Sequence, residues 1–301
     1  MAAAIGGKRP RTAAIRAALA AMAVLSIAGG SLAVGKYWAA PADQTVTTSA
    51  TTPLACFTPQ IAGHRGSPKR APENSIASYS AALSEGADWL ETDVRVTRDG
   101  VPVLLHDLTV DRTTNGTGQV QDLTYEQVSR LRTKDGRNAQ PIPRLADLLE
   151  WMRGRHTRLL MEIKELRNPQ DAAGIARMAS ASGLDIELYS FYAPTLRIAH
   201  TAAPEMPTTL LQSTWHAEDP GDLPLRALSV EAPMAAGKAW VDAEHRRGRQ
   251  IYAWTVDDSR GWTQMAAAGV DALITDDPAG AKAWRDRRCQ AARAALASSG
   301  G

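Results

Sequence analysis

From residue 60 onward, short apolar runs that end in polar or charged residues alternate with helical patterns, and this alternation constrains the fold more than any other feature. The runs are 61–65, 89–94, 103–107, 159–164, 186–191, 208–213, 227–231, 251–256 and 272–276. Helical patterns lie between most of them, at 75–84, 145–152, 171–181, 236–247 and 260–268. Alternating β and α elements point to a parallel sheet with crossover helices. Eight such units close into a barrel of about 250 residues, which suits residues 56–290. The expected class is therefore α/β, a TIM (β/α)8 barrel. Nine runs are one too many for it. The turn Thr97-Arg98-Asp99-Gly100 joins two runs without a helix, so that pair reads as a hairpin, and the run outside the closed barrel stays unassigned. Residues 107–144, with Arg112-Thr113-Thr114-Asn115-Gly116-Thr117-Gly118, carry few helical signals. They read as a small inserted loop region after the second or third strand, over one barrel mouth.

Charge is placed unevenly. Residues 1–40 hold Lys8, Arg9, Arg11, Arg16 and Lys36 and no acidic residue, so a chain of net charge +2 has a body of 29 basic against 32 acidic residues. Such a body has no basic excess to neutralise a nucleic-acid backbone. The basic residues precede an uncharged, Ala-rich stretch from Ala17 to Gly35, followed within it by the small residues of Ser31-Leu32-Ala33. Residues 1–40 thus read as a signal peptide. The alternative is a retained membrane anchor, since the stretch is just long enough to span, although Gly29 and Gly30 weaken it. Either reading puts the body outside the cytoplasm, secreted or extracytoplasmic. Residues 41–55 read as a flexible linker, 56–290 as the barrel domain and 291–301 as a C-terminal tail. A monomer is expected. The chain has two cysteines, Cys56 before the first strand and Cys289 at the end of the last helical stretch. Barrel closure makes those elements neighbours, and an oxidising compartment permits a disulfide between them.

Active sites of such barrels form at the C-terminal ends of the strands. Here His64, Glu91, Asp93, His106, Asp107, Glu162 and Lys164 fall at those ends. Strand side chains alternate faces, so Glu91 and Asp93 share one face, as do Glu162 and Lys164. If those faces point inward, three carboxylates meet at one mouth, and they repel unless a cation lies among them. All-oxygen ligation suits a hard divalent ion, Ca²⁺ or Mg²⁺. Two histidines beside it can serve as acid and base, and Arg65 and Lys164 supply positive charge for an anionic substrate. Taken singly, each feature has a plainer meaning: a hydrogen-bonded surface histidine, a solvated strand end, a salt-bridged strand face. Their coincidence at four strand ends is what points to metal-assisted phosphodiester cleavage.

Several stretches resemble the glycerophosphodiester phosphodiesterase family. They are His64-Arg65-Gly66, Ala71-Pro72-Glu73-Asn74-Ser75, Glu91-Thr92-Asp93-Val94, the run Thr97 to Val103, His106-Asp107, and Arg112-Thr113-Thr114 with Gly116 and Gly118. Glu162-Ile163-Lys164, Ser190-Phe191, Ala253-Trp254-Thr255 and Thr275-Asp276 follow in the family's order, so the resemblance covers about residues 60–285. With the leader, it implies a member of the secreted bacterial type. It implies a TIM barrel with Ca²⁺ or Mg²⁺ that hydrolyses a glycerophosphodiester to glycerol 3-phosphate and an alcohol. By the same resemblance His64 and His106 are the acid/base pair, Glu91, Asp93 and Glu162 the metal ligands, Arg65 and Lys164 phosphate contacts, and Trp254 a wall against the glycerol. Two rivals stay open: a phospholipase of the sphingomyelinase D type, which shares the two histidines and Glu-x-Asp, and a non-catalytic barrel that binds a phosphorylated polyol.

Overall fold

A computed structural model of the chain describes Cys56 and residues 58–135, 139–214 and 216–299. The expected leader or anchor (1–40) and the linker (41–55) lie outside the described residues. Among the described residues nine strands form: β1 (Gln60–Gly63), β2 (Trp89–Val96), β3 (Pro102–Leu104), β4 (Arg158–Ile163), β5 (Ile186–Ser190), β6 (Thr208–Gln212), β7 (Leu225–Glu231), β8 (Gln250–Trp254) and β9 (Ala272–Thr275). Eight of them are parallel and run β1-β9-β8-β7-β6-β5-β4-β2, and a β1–β2 pairing closes the barrel. The ninth, β3, pairs antiparallel with the end of β2, Val94 opposite Leu104, and is the strand outside the barrel. The helices are α1 (Ile76–Ser84), α2 (Tyr125–Ser129), α3 (Leu145–Met152), α4 (Asp171–Ser182), α5 (Ala193–Ala202), α6 (Lys238–Arg246), α7 (Ser259–Ala268) and α8 (Pro278–Ser299). Between β6 and β7 no helix occurs among the described residues.

Strand alternation divides the apolar residues into two sets. Leu90, Val94, Leu159, Met161, Ile163 and Leu188 point outward and pack beneath helices on one side of the barrel. Leu210, Val230, Ile251, Ala253 and Leu273 do the same on the other. Ala62, Leu160, Tyr189, Leu211, Tyr252 and Ile274 form a separate interior cluster. Burial on both faces is why the strands read as near-continuous apolar runs. Helix starts follow local chemistry: the Ser75 hydroxyl accepts from the Ser78 amide to cap α1, and Asp258 caps α7 in the same way.

The insertion between β3 and α3 is more ordered than its loop-like sequence indicates. It contains α2, opened by a Thr124–Gln127 capping box. Val103, Leu105, Val110, Val120, Val128 and Ile142 give it a small core of its own. The C-terminus differs from expectation too. Residues 291–299, read as a tail, continue α8, with 291–298 exposed, consistent with their Ala-rich composition. At the opposite end of the barrel from the strand C-termini, Cys56 and Cys289 of α8 are joined in a disulfide with Cα atoms 5.2 Å apart. Arg285, also of α8, pairs with Asp88, whose carboxylate accepts from the Ile61 amide at 2.8 Å.

Candidate active site

The mouth at the strand C-termini is built from inward positions of β2 and β4 and from the turn after β1. Asp93 and Glu162 face each other in register across β2 and β4. With Glu91, two residues earlier on β2, they place three buried carboxylate oxygens within 4.8 Å of one another. The turn after β1 closes tightly over them. A Cβ on Gly63 would come within 2.4 Å of the Gly66 carbonyl oxygen and 2.9 Å of Ala82, so this position excludes a side chain. Arg65 takes a left-handed conformation, φ +54°, uncommon outside glycine. That turn directs the Arg65 amide to Glu91 Oε2 at 2.6 Å, while the Arg65 carbonyl accepts from the Ser78 hydroxyl at 2.9 Å and the Asn74 amide at 3.0 Å.

Asn74, also left-handed, is the buried hub behind the acidic cluster. Its Nδ2 donates to Asp93 Oδ2 at 2.7 Å, and its Oδ1 accepts from Tyr79, Thr92 and the Asp93 amide at 3.0–3.1 Å. The cations expected at a phosphate are held by carboxylates. Lys164 Nζ lies 2.7 Å from Glu162 Oε2 and 2.9 Å from Asp93 Oδ1, and Arg65 bridges Glu73 and Asp93. Each histidine is backed by an aspartate: His64 Nδ1 is 2.7 Å from Asp276 and His106 Nδ1 is 2.8 Å from Asp107. His64, His106, Lys164, Phe191 and Trp254 line one cavity over the carboxylates. Trp254 meets Phe191 edge to face, ring centres 5.7 Å apart, as an apolar wall. A wider groove, lined among others by Arg98, Asp99, Glu165 and Arg167, carries charges of both signs, most of them exposed.

The electrostatics follow from crowding. Burial, reinforced by the Asp93 charge, lifts the Glu91 carboxyl to about 7. Burial also raises Glu162, against the pull of Lys164. Burial acts the same way on Asp93, but Lys164 and Arg65 overcome it and hold Asp93 well below the usual carboxylate range. Burial depresses His106, incompletely offset by Asp93. For His64 burial is outweighed by the Asp276 hydrogen bond and the Glu91 charge, and the net shift is upward. With all three ionised, Glu91, Asp93 and Glu162 exceed the cations Arg65 and Lys164 by one charge. Asp93 Oδ1 is buried without an aligned hydrogen bond. A divalent cation would relieve both. The donor set therefore fits a hard divalent ion.

Every site residue expected from the sequence converges on this mouth. Residues without an assigned role join them. Tyr189 donates to Glu91, Asp276 and Asp107 orient the histidines, and Glu73 and Arg112 lie behind Arg65 and Asp107. Glu73, Asp107 and Arg112 stand in stretches that carry the resemblance, which was the available signal. Tyr189 had none, since a tyrosine in an apolar strand reads as core.

A model of the glycerophosphoryl diester phosphodiesterase family matches residues 64–280. A glycerophosphodiester phosphodiesterase of Caldanaerobacter subterraneus is 33% identical over 233 residues, covering 72% of this chain and 94% of the relative. A probable glycerophosphodiester phosphodiesterase 1 of Mycobacterium tuberculosis is 32% identical over 254 residues, covering 75% and 92%. Among solved structures, a glycerophosphodiester phosphodiesterase from Agrobacterium tumefaciens superposes with a TM-score of 0.66 at 29% identity, covering 75% of this chain and all of that one. An Oleispira antarctica phosphodiesterase, solved with its product sn-glycerol-3-phosphate, shares the fold at a TM-score of 0.66 and 23% identity, covering 76% and 98%.

Proposed function

The chain belongs to the glycerophosphoryl diester phosphodiesterase family, and on that premise we propose that it hydrolyses a glycerophosphodiester to glycerol 3-phosphate and an alcohol, using a divalent cation and two histidines. It is an enzyme, a glycerophosphodiester phosphodiesterase. The observation that carries the finer reading is the convergence of three buried carboxylates with two aspartate-backed histidines at one barrel mouth.

Glu91, Asp93 and Glu162 would hold the ion. Bound there, Ca²⁺ or Mg²⁺ would supply Lewis-acid polarisation of a phosphoryl oxygen and would lower the pKa of an attacking hydroxyl. We assign His106 as base and His64 as acid, a choice that the opposite directions of their shifts favour. With Nδ1 bonded to Asp107, neutral His106 keeps its lone pair on Nε2 and takes the proton of the attacking hydroxyl, either the substrate's neighbouring glycerol hydroxyl or water. His64, its Nδ1 bonded to Asp276, gives the Nε2 proton to the leaving alkoxide. Attack by the glycerol hydroxyl yields a cyclic phosphate that water reopens, and the same two histidines serve that second step with roles exchanged. Lys164 and Arg65 offset phosphate charge from the rim of the acidic cluster, and Trp254 with Phe191 packs against the glycerol carbons.

The same reading makes the protein an exported monomer of the secreted bacterial type, either released by signal-peptide cleavage or held by residues 1–40. The Cys56–Cys289 bridge supports it, since such bonds persist in oxidising compartments. Hydrolysis of glycerophosphocholine, with and without a chelator, tests the function. Expected are glycerol 3-phosphate and choline in divalent metal, and loss of turnover in EDTA. No hydrolysis of any glycerophosphodiester in either ion would overturn it. His64→Ala and His106→Ala should each lower the rate by on the order of 10²-fold or more.

A further inference from the structure

We infer that Arg112 is a positioning residue that holds the His106 base in register with the β1 turn. It sits in the insertion, whose small core packs separately from the barrel clusters. His106 and Asp107 begin that insertion, so the base depends on how it docks against the mouth. Arg112 makes that junction. Its Nε donates to Asp107 Oδ2 at 2.6 Å and its Nη2 to Asp107 Oδ1 at 3.1 Å. The same guanidinium donates through Nη1 and Nη2 to the two oxygens of Glu73, each at 2.7 Å. Glu73 in turn accepts from Arg65 Nη1 at 2.9 Å, and Asp107 Oδ1 lies 2.8 Å from His106 Nδ1. A continuous chain, Arg65–Glu73–Arg112–Asp107–His106, thus spans the mouth from the β1 turn to the insertion.

The geometry demands arginine. Two carboxylates are each gripped by two N–H groups of one planar fork, an arrangement that a lysine ammonium cannot reproduce. Without the fork, Asp107 loses both of its donors other than His106, and Glu73 keeps only Arg65. The Asp107 carboxylate can then rotate, and with it the imidazole it orients. A small misplacement of a reacting group costs up to about 10²-fold in rate. Arg112 itself is half-exposed and is not among the residues lining the cavity, so it acts through Asp107 and not on the substrate.

This inference rests on His106 acting as base, and the experiment separates the two. Arg112→Ala, Arg112→Lys, Asp107→Asn and His106→Ala are compared, with thermal melts confirming the fold of each. Arg112→Ala is expected to lose roughly 10- to 100-fold in kcat with KM changed less than about threefold. The Arg112→Ala/Asp107→Asn double variant should be within about threefold of Asp107→Asn alone, because both changes break one chain. Millimolar guanidinium should restore part of the kcat of Arg112→Ala and none of that of Asp107→Asn. If Arg112→Ala does not fold, Arg112→Lys takes its place and should lose about tenfold in kcat. A folded Arg112 variant with near wild-type kcat, or losses that multiply in the double variant, would overturn the inference. A fully active His106→Ala would instead refute the base assignment beneath it.

Discussion

Opening the Cys56–Cys289 bridge should destabilise the barrel strongly and leave its chemistry almost untouched. The bond closes a loop with a sequence separation of 233 residues. In the chain-entropy model a loop of that length contributes about 5 kcal/mol, and residual order in the unfolded chain reduces the figure toward about 3 kcal/mol. For a domain of this size each kcal/mol corresponds to about 2–4 °C, so the melting temperature should fall by roughly 10–15 °C. Cys56 precedes the N-terminal end of β1, whereas His64 follows its C-terminal end. The bridge therefore anchors the far end of the strand that carries the site. Calorimetry of Cys289→Ser, and of the wild type with and without reductant, gives the first quantity. Hydrolysis rates well below the melting transition give the second, and are expected to stay within about twofold. Melting that shifts by less than about 3 °C, or two free thiols in the denatured, unreduced protein, would refute the reasoning.

Glu91→Gln can still accept from the Arg65 amide through its Oε1, with its Nε2 donating to the Tyr189 oxygen in a reversed bond, and it removes one ligand charge; calorimetric titration should find weaker Ca²⁺ or Mg²⁺ binding with a nearly unchanged melting profile in chelator. The pH profile of kcat/KM should be bell-shaped: activity rises as pH climbs through the depressed His106 value, which frees the base, and falls as pH passes the raised His64 value, which strips the acid. Asp276→Asn removes the carboxylate that raises His64, so the alkaline limb should move to lower pH while the acid limb stays. Gly63→Ala would force a methyl against the Gly66 carbonyl and Ala82; urea unfolding should show a loss of about 1–3 kcal/mol, with a reduced kcat because His64 follows directly.

The barrel was readable in the sequence because its determinants are local. Each strand announces itself as an apolar run and most crossovers as a helical pattern. The hairpin turn at Thr97–Gly100 marks where the ninth strand leaves the count, yet only pairing identifies β3 as the outsider. Residues 291–299 show the limit of local reading, since nothing at Arg288 compels the helix to stop. The insertion shows another: Val110, Val120, Val128 and Ile142 are too widely spaced to form a periodic pattern, and their common core appears only when the loop folds back.

The acidic site divides in the same way. Strand periodicity alone puts Glu91 with Asp93 and Glu162 with Lys164, because alternate residues of any strand share a face. The resemblance then attaches chemistry to those faces. Tertiary structure decides that Asp93 stands opposite Glu162, that Asn74 supports them, and that Lys164 lies between two of the three carboxylates. It also decides which carboxylate backs each histidine. The partner of His106 is its neighbour in sequence, whereas that of His64 lies 212 residues away, across the seam where the barrel closes. Local geometry is fixed by backbone sterics within a few residues. The upward shift of His64 arises from Asp276 and Glu91, charges it meets only when β1 closes against β9 and β2.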